Sequence, residues 1–373
     1  MKIGFDAKRA FLNSSGLGNY SRNTLNALQM YFNENEYVLF SPKIQNTFFN
    51  NYSDFETVTI KNPLVKKISS FWRSFFLVPV LEKHNLDIYH GLSNELPAKI
   101  KKSSIISVVT IHDLIFIRYP GLYKSIDRKM YFLKLKYACK AADKILAASN
   151  QTKIDIINFL DISPDKIEVI YQPVNPAFYE DQDKEAILKK YKIPEKFILA
   201  VGAIEPRKNH LPLIKGNFES GINMTLVAVG RTTSYLKELM RYTKISGIED
   251  KIIFLQDLNV NELAALYQSA TLSAYISKFE GFGLPVIEAM ASKCPVLISS
   301  VSCLPETAGD AALLCDPENI QDIGSKISLI LNSKSVREEL IQKGINRASR
   351  FHPSIYAKQL TTLYLNLLKG KNG

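Results

Sequence analysis

The chain predicts an α/β protein made of two doubly wound, Rossmann-like domains facing a cleft. Three observations carry that expectation. Its 373 residues exceed what one ordinary core organises. Short apolar strand patterns alternate with helical ones through both halves, as in parallel sheets covered by helices. Between the halves, Gln172-Pro173-Val174-Asn175-Pro176 interrupts the series with two prolines in five residues. The expected domains are 1–171 and 196–350, joined by a linker over 172–195.

The first series opens with a short buried strand, Lys2 to Asp6. Gly16-Leu17-Gly18 then reads as a flexible turn whose backbone amides can face a ligand, before a helix from Ser21 to Tyr31 with Leu25 and Leu28 on one face. The third glycine of the dinucleotide fingerprint is missing, because Asn19-Tyr20-Ser21 follow. Glu36 to Phe40 and Thr57 to Ile60 are further strands. Lys66 to Lys83 is rich in aromatics at helical spacing, with basic residues at its start and an interruption at Pro79. It fits either a membrane surface or a core. Asp87 to Gly91 is a strand leading into the loop HGLSNELP, and Ile105 to Ile111 is a strongly apolar strand ending at His112-Asp113. In open α/β sheets the carboxyl ends of strands face the ligand crevice, which gives His112 a positional argument. A basic helical stretch from Ser125 to Lys144 leads into a strand, and Ser149 is a good cap for the helix after it.

The second series restarts with the strand Phe197 to Gly202, followed by Glu205-Pro206-Arg207-Lys208-Asn209. Two adjacent cations just past a strand end suit a diphosphate. Thr225 to Gly230 and Lys251 to Leu255 are the next strands, and Gln256-Asp257-Leu258 follows the latter. Thr271 to Ile276 is a buried strand before Phe279-Glu280-Gly281-Phe282-Gly283-Leu284-Pro285-Val286-Ile287-Glu288. Here two glycines let backbone approach a ligand, and Pro285 sits near the first helical position, where a missing N–H costs nothing. The unpaired amides of the helix start make an anion site, bracketed by two carboxylates. Taken alone, Glu288 could equally complement the positive end of its own helix. Val296 to Ser299 and Leu313 to Pro317 complete the strands. Helices follow from Ile320 to Leu331, Val336 to Ser349 and Ser354 to Leu368.

Composition narrows the function classes. Hydrophobic content of 46% and charged content of 22% exclude a disordered or fibrous chain. No apolar run approaches the roughly 20 residues that span a bilayer, and Met1 to Phe5 begins a strand without a signal-peptide pattern. Cys139, Cys294, Cys303 and Cys315 lack metal or disulfide spacing, which fits a reducing, cytoplasmic setting. Of the net charge of +11, residues 1–175 hold 23 Lys and Arg against 15 Asp and Glu, leaving +3 for the rest. The excess concentrates between Lys99 and Lys144. Nucleic acid, an anionic membrane surface, a phosphate-bearing acceptor and a plain solvated face all fit such a patch. Nucleic acid explains the charge but not the paired glutamates, so none is expected as a partner.

The stretch from Phe279 to Glu288 resembles the donor-site signature of retaining glycosyltransferases of family 4, and the resemblance extends over almost the whole chain. It implies the GT-B architecture, with the last helix (354–369) crossing back onto the first domain. It further implies hexose transfer from a nucleotide diphosphate sugar with retention at the anomeric carbon. Arg207 and Lys208 would hold the donor diphosphate, although Ala203 stands where many members carry Arg. Glu288 would hold the ribose hydroxyls and Glu280 the donor-sugar hydroxyls, while His112 would orient the sugar. Gly16, Gly18, Gly230, Leu258, Gly281, Phe282, Gly283 and Leu284 complete the implied donor contacts. His90, Asn94 and Asp113 are candidates for the acceptor. No cofactor or metal is implied. The segments IEPRKN and DIYHGLSNELP look most like bacterial mannosyltransferases of surface-polysaccharide synthesis. They favour GDP-mannose over a UDP-sugar and a glycan or lipid-linked acceptor, with peripheral attachment to the inner membrane face as an option. A GT-B epimerase, a sugar-phosphate synthase and a catalytically silent binder are the rivals.

Overall fold

The computed structural model describes residues 1–45, 48–60 and 73–372. It divides into two compact units, Met1–Pro173 with Pro353–Gly373, and Val174–His352.

In the first unit β1 (Lys2–Asp6), β2 (Glu36–Ser41), β3 (Glu56–Thr59), β4 (Ile88–Gly91), β5 (Ile106–Ile111), β6 (Lys144–Ala147) and β7 (Ile167–Val169) form one sheet. The order is β3-β2-β1-β4-β5-β6-β7, with every neighbour parallel. All six positions of β5 are buried, as a strand covered on both faces requires. One face packs Leu25, Leu28, Tyr356, Leu360 and Tyr364 against Phe5 and Leu39, so the helices Gly16–Tyr31 and Pro353–Asn372 share a core. The other packs Leu81, Leu135, Cys139 and Ile156 against Val109 and Ile145.

The second unit repeats the plan with β8 (Phe197–Val201), β9 (Thr225–Val229), β10 (Ile252–Leu255), β11 (Leu272–Tyr275), β12 (Val296–Ser299) and β13 (Leu313–Cys315). Their order is β10-β9-β8-β11-β12-β13, again all parallel. Both sheets therefore reverse direction once. The reversal lies between β1 and β4 in the first unit and between β8 and β11 in the second. Ligands of doubly wound sheets bind beyond the strand ends at such a point.

Several elements differ from the expectation. A helix Lys8–Leu12 follows β1 directly. The Gly16-Leu17-Gly18 stretch is no loop but the first turn of the helix Gly16–Tyr31. Pro79 does not interrupt a helix; it occupies the first turn of Val78–Lys83, where its missing N–H is harmless. Residues 66–72 of the aromatic-rich stretch lie outside the described residues. The expected linker holds the helix Lys184–Tyr191, which the Asp183 side chain caps. That helix is pinned to the second unit where Lys190 and Tyr191 meet Glu262. Ser149 caps its helix by accepting from the Thr152 amide at 3.1 Å. All four cysteines are buried and free. Among the described residues no helix is long and apolar enough to cross a membrane.

Candidate functional site

The reversal between β8 and β11 gathers most of the chemistry the sequence singles out. After β8 the chain turns through Pro206–Lys208, and after β11 it runs to Glu280. Arg207 Nη1 and Lys208 Nζ each stand 2.7 Å from the same oxygen, Glu280 Oε1. Arg207 also donates to the Phe279 carbonyl at 2.6 Å and pairs with Glu205 at 2.7 Å. Lys208 donates to the Tyr275 hydroxyl at 2.5 Å, with its ammonium 4.7 Å from that ring's centroid. Burial alone would raise the Glu280 carboxyl, but Lys208 and Arg207 hold it down at about 2. Burial works against the Arg207 charge, and Glu280 and Glu205 more than reverse this, raising it further above its ordinary value. Burial lowers Lys208 and Glu280 only partly offsets it. The result is a pair of desolvated cations sharing one carboxylate at a strand end.

Glycines let the backbone close around that pair. Gly202 and Gly230 both have positive φ, and a Cβ on Gly230 would fall 2.0 Å from the Gly202 carbonyl oxygen. A Cβ on Gly202 would press against the Lys208 stem at 3.2 Å. Gly283 caps the helix Leu284–Ala291 at φ +93°, and a Cβ there would meet Leu304 at 2.5 Å. The same Cβ would lie 3.9 Å from the Tyr275 ring, so the helix start and Lys208 flank one tyrosine.

Glu288 faces a different environment. It is buried one turn into that helix, and its carboxylate accepts from the Tyr267 hydroxyl at 3.4 Å. Burial pushes its carboxyl up to about 7, and Tyr267 pulls it back only slightly. Glu280 is thus neutralised by cations, while among the described residues no cation pairs with Glu288. Phe282 is packed on Phe351, and its carbonyl accepts from Thr307. Leu258 is half-buried beyond β10. Tyr275, Tyr267 and Glu205 carry no motif that marks them in the sequence. Tyr275 was within reach, because it ends the strand that feeds the motif.

In the first unit the expected residues divide. His112 is buried, its Nε2 donating to the Leu92 carbonyl at 2.9 Å and its Nδ1 accepting from Gln172 Nε2 at 3.2 Å. Burial and the nearby Arg9 charge keep it neutral, with its pKa lowered to about 4 even though the Leu92 contact favours the proton. Its ring is edge-on to Tyr20 at 4.6 Å. His90 is not an acceptor contact in this structure. It is sealed inside, with Nδ1 2.7 Å from the Tyr364 hydroxyl and Nε2 2.8 Å from Thr110 Oγ1. The chain of hydroxyls continues from Thr110 through Tyr20 and Tyr356 to Thr24. A buried network so fully paired fixes packing rather than binding a ligand. Asn94 ties its loop to β5, with its amide on the Thr110 carbonyl and its side chain accepting from the His112 amide at 3.0 Å. Asp113 accepts from the Ile115 amide at 3.0 Å at a helix start. Gly18 packs too closely for any side chain, a Cβ falling 1.8 Å from the Asn13 carbonyl oxygen, whereas Gly16 faces open space. Buried Asp6 and Arg73 and half-buried Glu95, which no sequence motif marked, form a charged group beyond β1 and β4, at this unit's own reversal point. Arg73 is 3.4 Å from Asp6 and is paired with Glu95.

Two Rossmann-like units of this order define the GT-B fold. The sucrose-phosphate synthase of Thermosynechococcus elongatus shares it, with a TM-score of 0.81 at 18% identity over 99% of this chain and 100% of that one. Residues 14–178 match the family described as Glycosyltransferase Family 4, and residues 183–347 match Glycosyl transferases group 1. An O-antigen chain mannosyltransferase of Salmonella typhimurium is 34% identical over 223 residues, 60% of each chain. O-antigen chain mannosyltransferase B of Escherichia coli is 30% identical over 272 residues, 71% of this chain and 70% of that one. The chain belongs to the family 4 glycosyltransferases.

Proposed function

We propose that the chain is a retaining hexosyltransferase that moves mannose from GDP-mannose to a glycan or lipid-linked acceptor, needing no metal. The observation that carries this is Arg207 and Lys208 converging on Glu280 beside the glycine-capped start of Leu284–Ala291. When the bond from the anomeric carbon to the diphosphate oxygen breaks, negative charge grows on the leaving group. The two cations and the helix-start amides would stabilise it, each positioned donor contributing roughly 3–4 kcal/mol in other systems. Glu280, held ionised, would accept from donor-sugar hydroxyls, and Glu288 would accept from the ribose. The acceptor hydroxyl attacks on the face the diphosphate leaves, and its proton passes to the departing phosphate oxygen. The products are a nucleoside diphosphate and a glycoside with retained configuration. The O-antigen chain mannosyltransferases to which the chain is similar support mannose as the sugar and O-antigen-type polysaccharide as the product class. His112 is proposed as the residue that orients the sugar.

The test is a thermal-shift screen of GDP- and UDP-sugars on the wild type and on Glu288→Ala. GDP-mannose is expected to give the largest shift, weakened at least tenfold in apparent affinity in the variant. A UDP-sugar preference would overturn the donor assignment. Mass spectrometry of the donor incubated with and without acceptor separates transfer from epimerisation and from silent binding. An anomeric assignment of the product by NMR checks retention, and activity in the presence of a chelator checks metal independence.

A further inference from the structure

The helix Ser125–Ala141, between β5 and β6, has apolar residues on two opposite faces. Leu135, Ala138 and Cys139 face the core. On the other side Ile126, Met130, Leu133 and Tyr137 recur at intervals of four, three and four residues, within roughly a 60° arc at 3.6 residues per turn. They are exposed to 78%, 47%, 58% and 38%. A helix that only covers a sheet keeps its outer face polar, and among the described residues this second apolar stripe is left largely exposed. The Tyr137 hydroxyl donates to the Pro97 carbonyl, and the neighbouring Ala98 amide donates to the Ser74 carbonyl, next to the exposed rings of Phe75 and Phe76.

Cations border the stripe on the same side. Lys129 and Lys140 flank it along the helix and are exposed. The Lys99 amide donates to the Tyr137 hydroxyl at 2.8 Å, placing exposed Lys99, Lys101 and Lys102 at the stripe's end. Lys166 reaches the Lys140 carbonyl at 2.9 Å and feels the charge of Lys101. An apolar ridge edged by lysines matches the layered chemistry of an anionic bilayer, with acyl chains beneath charged headgroups.

We infer that the face carrying Ile126, Met130, Leu133 and Tyr137, edged by Lys99, Lys101, Lys102, Lys129 and Lys140, docks on an anionic lipid surface. The inference goes beyond the transferase reading and stands on different residues from the donor site.

Sedimentation with vesicles tests it. The full chain is expected to pellet with vesicles of phosphatidylglycerol and phosphatidylethanolamine, and to stay in the supernatant with phosphatidylcholine alone. Ile126→Ser/Leu133→Ser is expected to lower the partition coefficient about tenfold or more, since two apolar side chains no longer enter the acyl region. Lys101→Ala/Lys102→Ala/Lys129→Ala is expected to lower it by a similar factor through lost headgroup attraction, with a matching loss of salt sensitivity. Melting temperatures of both variants should stay near wild type, because every substituted residue is exposed. Wild type remaining in the supernatant, or either variant pelleting like wild type, overturns the proposal. So does a dimer on size exclusion that the Ile126→Ser/Leu133→Ser variant abolishes, or binding of duplex DNA in preference to vesicles. Failure of the nucleotide-sugar screen would leave this result untouched, because neither variant changes the donor residues.

Discussion

Glu280 and Glu288 are both nearly sealed from water, yet their carboxyls are in opposite electrostatic settings. Glu288 carries an ordinary carboxyl pKa of 4.5 when unfolded and about 7 when folded. Below pH 4.5 both states hold the proton and nothing is lost. Between 4.5 and 7 the unfolded chain ionises more easily, so stability falls as pH rises, by roughly 3 kcal/mol once pH exceeds 7. Glu288→Gln is therefore expected to melt higher than wild type at pH 8 and no differently at pH 4. Circular dichroism melts at the two values check this. Glu280 behaves in reverse, because its pKa is depressed to about 2. Its contribution is complete above 4.5 and is lost as pH falls through 2. Glu280→Gln leaves Arg207 and Lys208 buried side by side without their shared carboxylate, which costs on the order of 3–5 kcal/mol. It should melt lower than wild type at pH 7, and a nucleoside diphosphate should restore part of the loss by supplying the missing negative charge. A Glu280→Gln melt unaffected by GDP would count against the diphosphate reading.

At the scale of elements, the first turn of Gly16–Tyr31 separates two glycines that looked alike in the sequence. A side chain at Gly16 meets nothing within 4 Å, so Gly16→Ala should leave stability unchanged or raise it by roughly 0.5–1 kcal/mol. A Cβ at Gly18 collides with backbone at Asn13, which cannot swing aside, and Gly18→Ala should lower the melting temperature by several degrees. Urea titrations of the pair decide between this packing account and a shared ligand-loop role, which would make both variants lose donor affinity with little change in stability. The same contrast holds at strand ends. Gly230 is fixed by its approach to Gly202, and Gly283 by its left-handed cap and its contact with Leu304.

The chain as a whole returns to its beginning. After His352 it leaves the second unit, and the helix Pro353–Asn372 buries Tyr356, Leu360 and Tyr364 in the core of the first. Removing residues 353–373 would strip the hydroxyl chain of Tyr356 and Tyr364, take away the His90 Nδ1 partner and uncover that face of the core. Hydrogen exchange is expected to accelerate in β1, β2 and β4 of the truncated chain while β8 and β11 keep their protection. Equal loss of protection in both units would show that the stability of the second depends on the first.

The sequence by itself determined the two parallel-sheet units, because alternating apolar strands and amphipathic helices are local patterns that each segment displays alone. It also determined the Glu280 to Glu288 motif, whose glycines, proline and acids act within ten consecutive residues. Only tertiary structure decided what those residues face. Arg207 and Glu280 are 73 positions apart and meet because β8 and β11 are neighbours at the sheet's reversal, a pairing no local pattern encodes. The same is true of His90, a candidate acceptor contact that lies within β4. Tyr364, 274 residues away, closes over it from the last helix. Burial and charge pairing depend on which distant segments arrive, so the chemical state of a side chain became legible only once the fold had brought its neighbours.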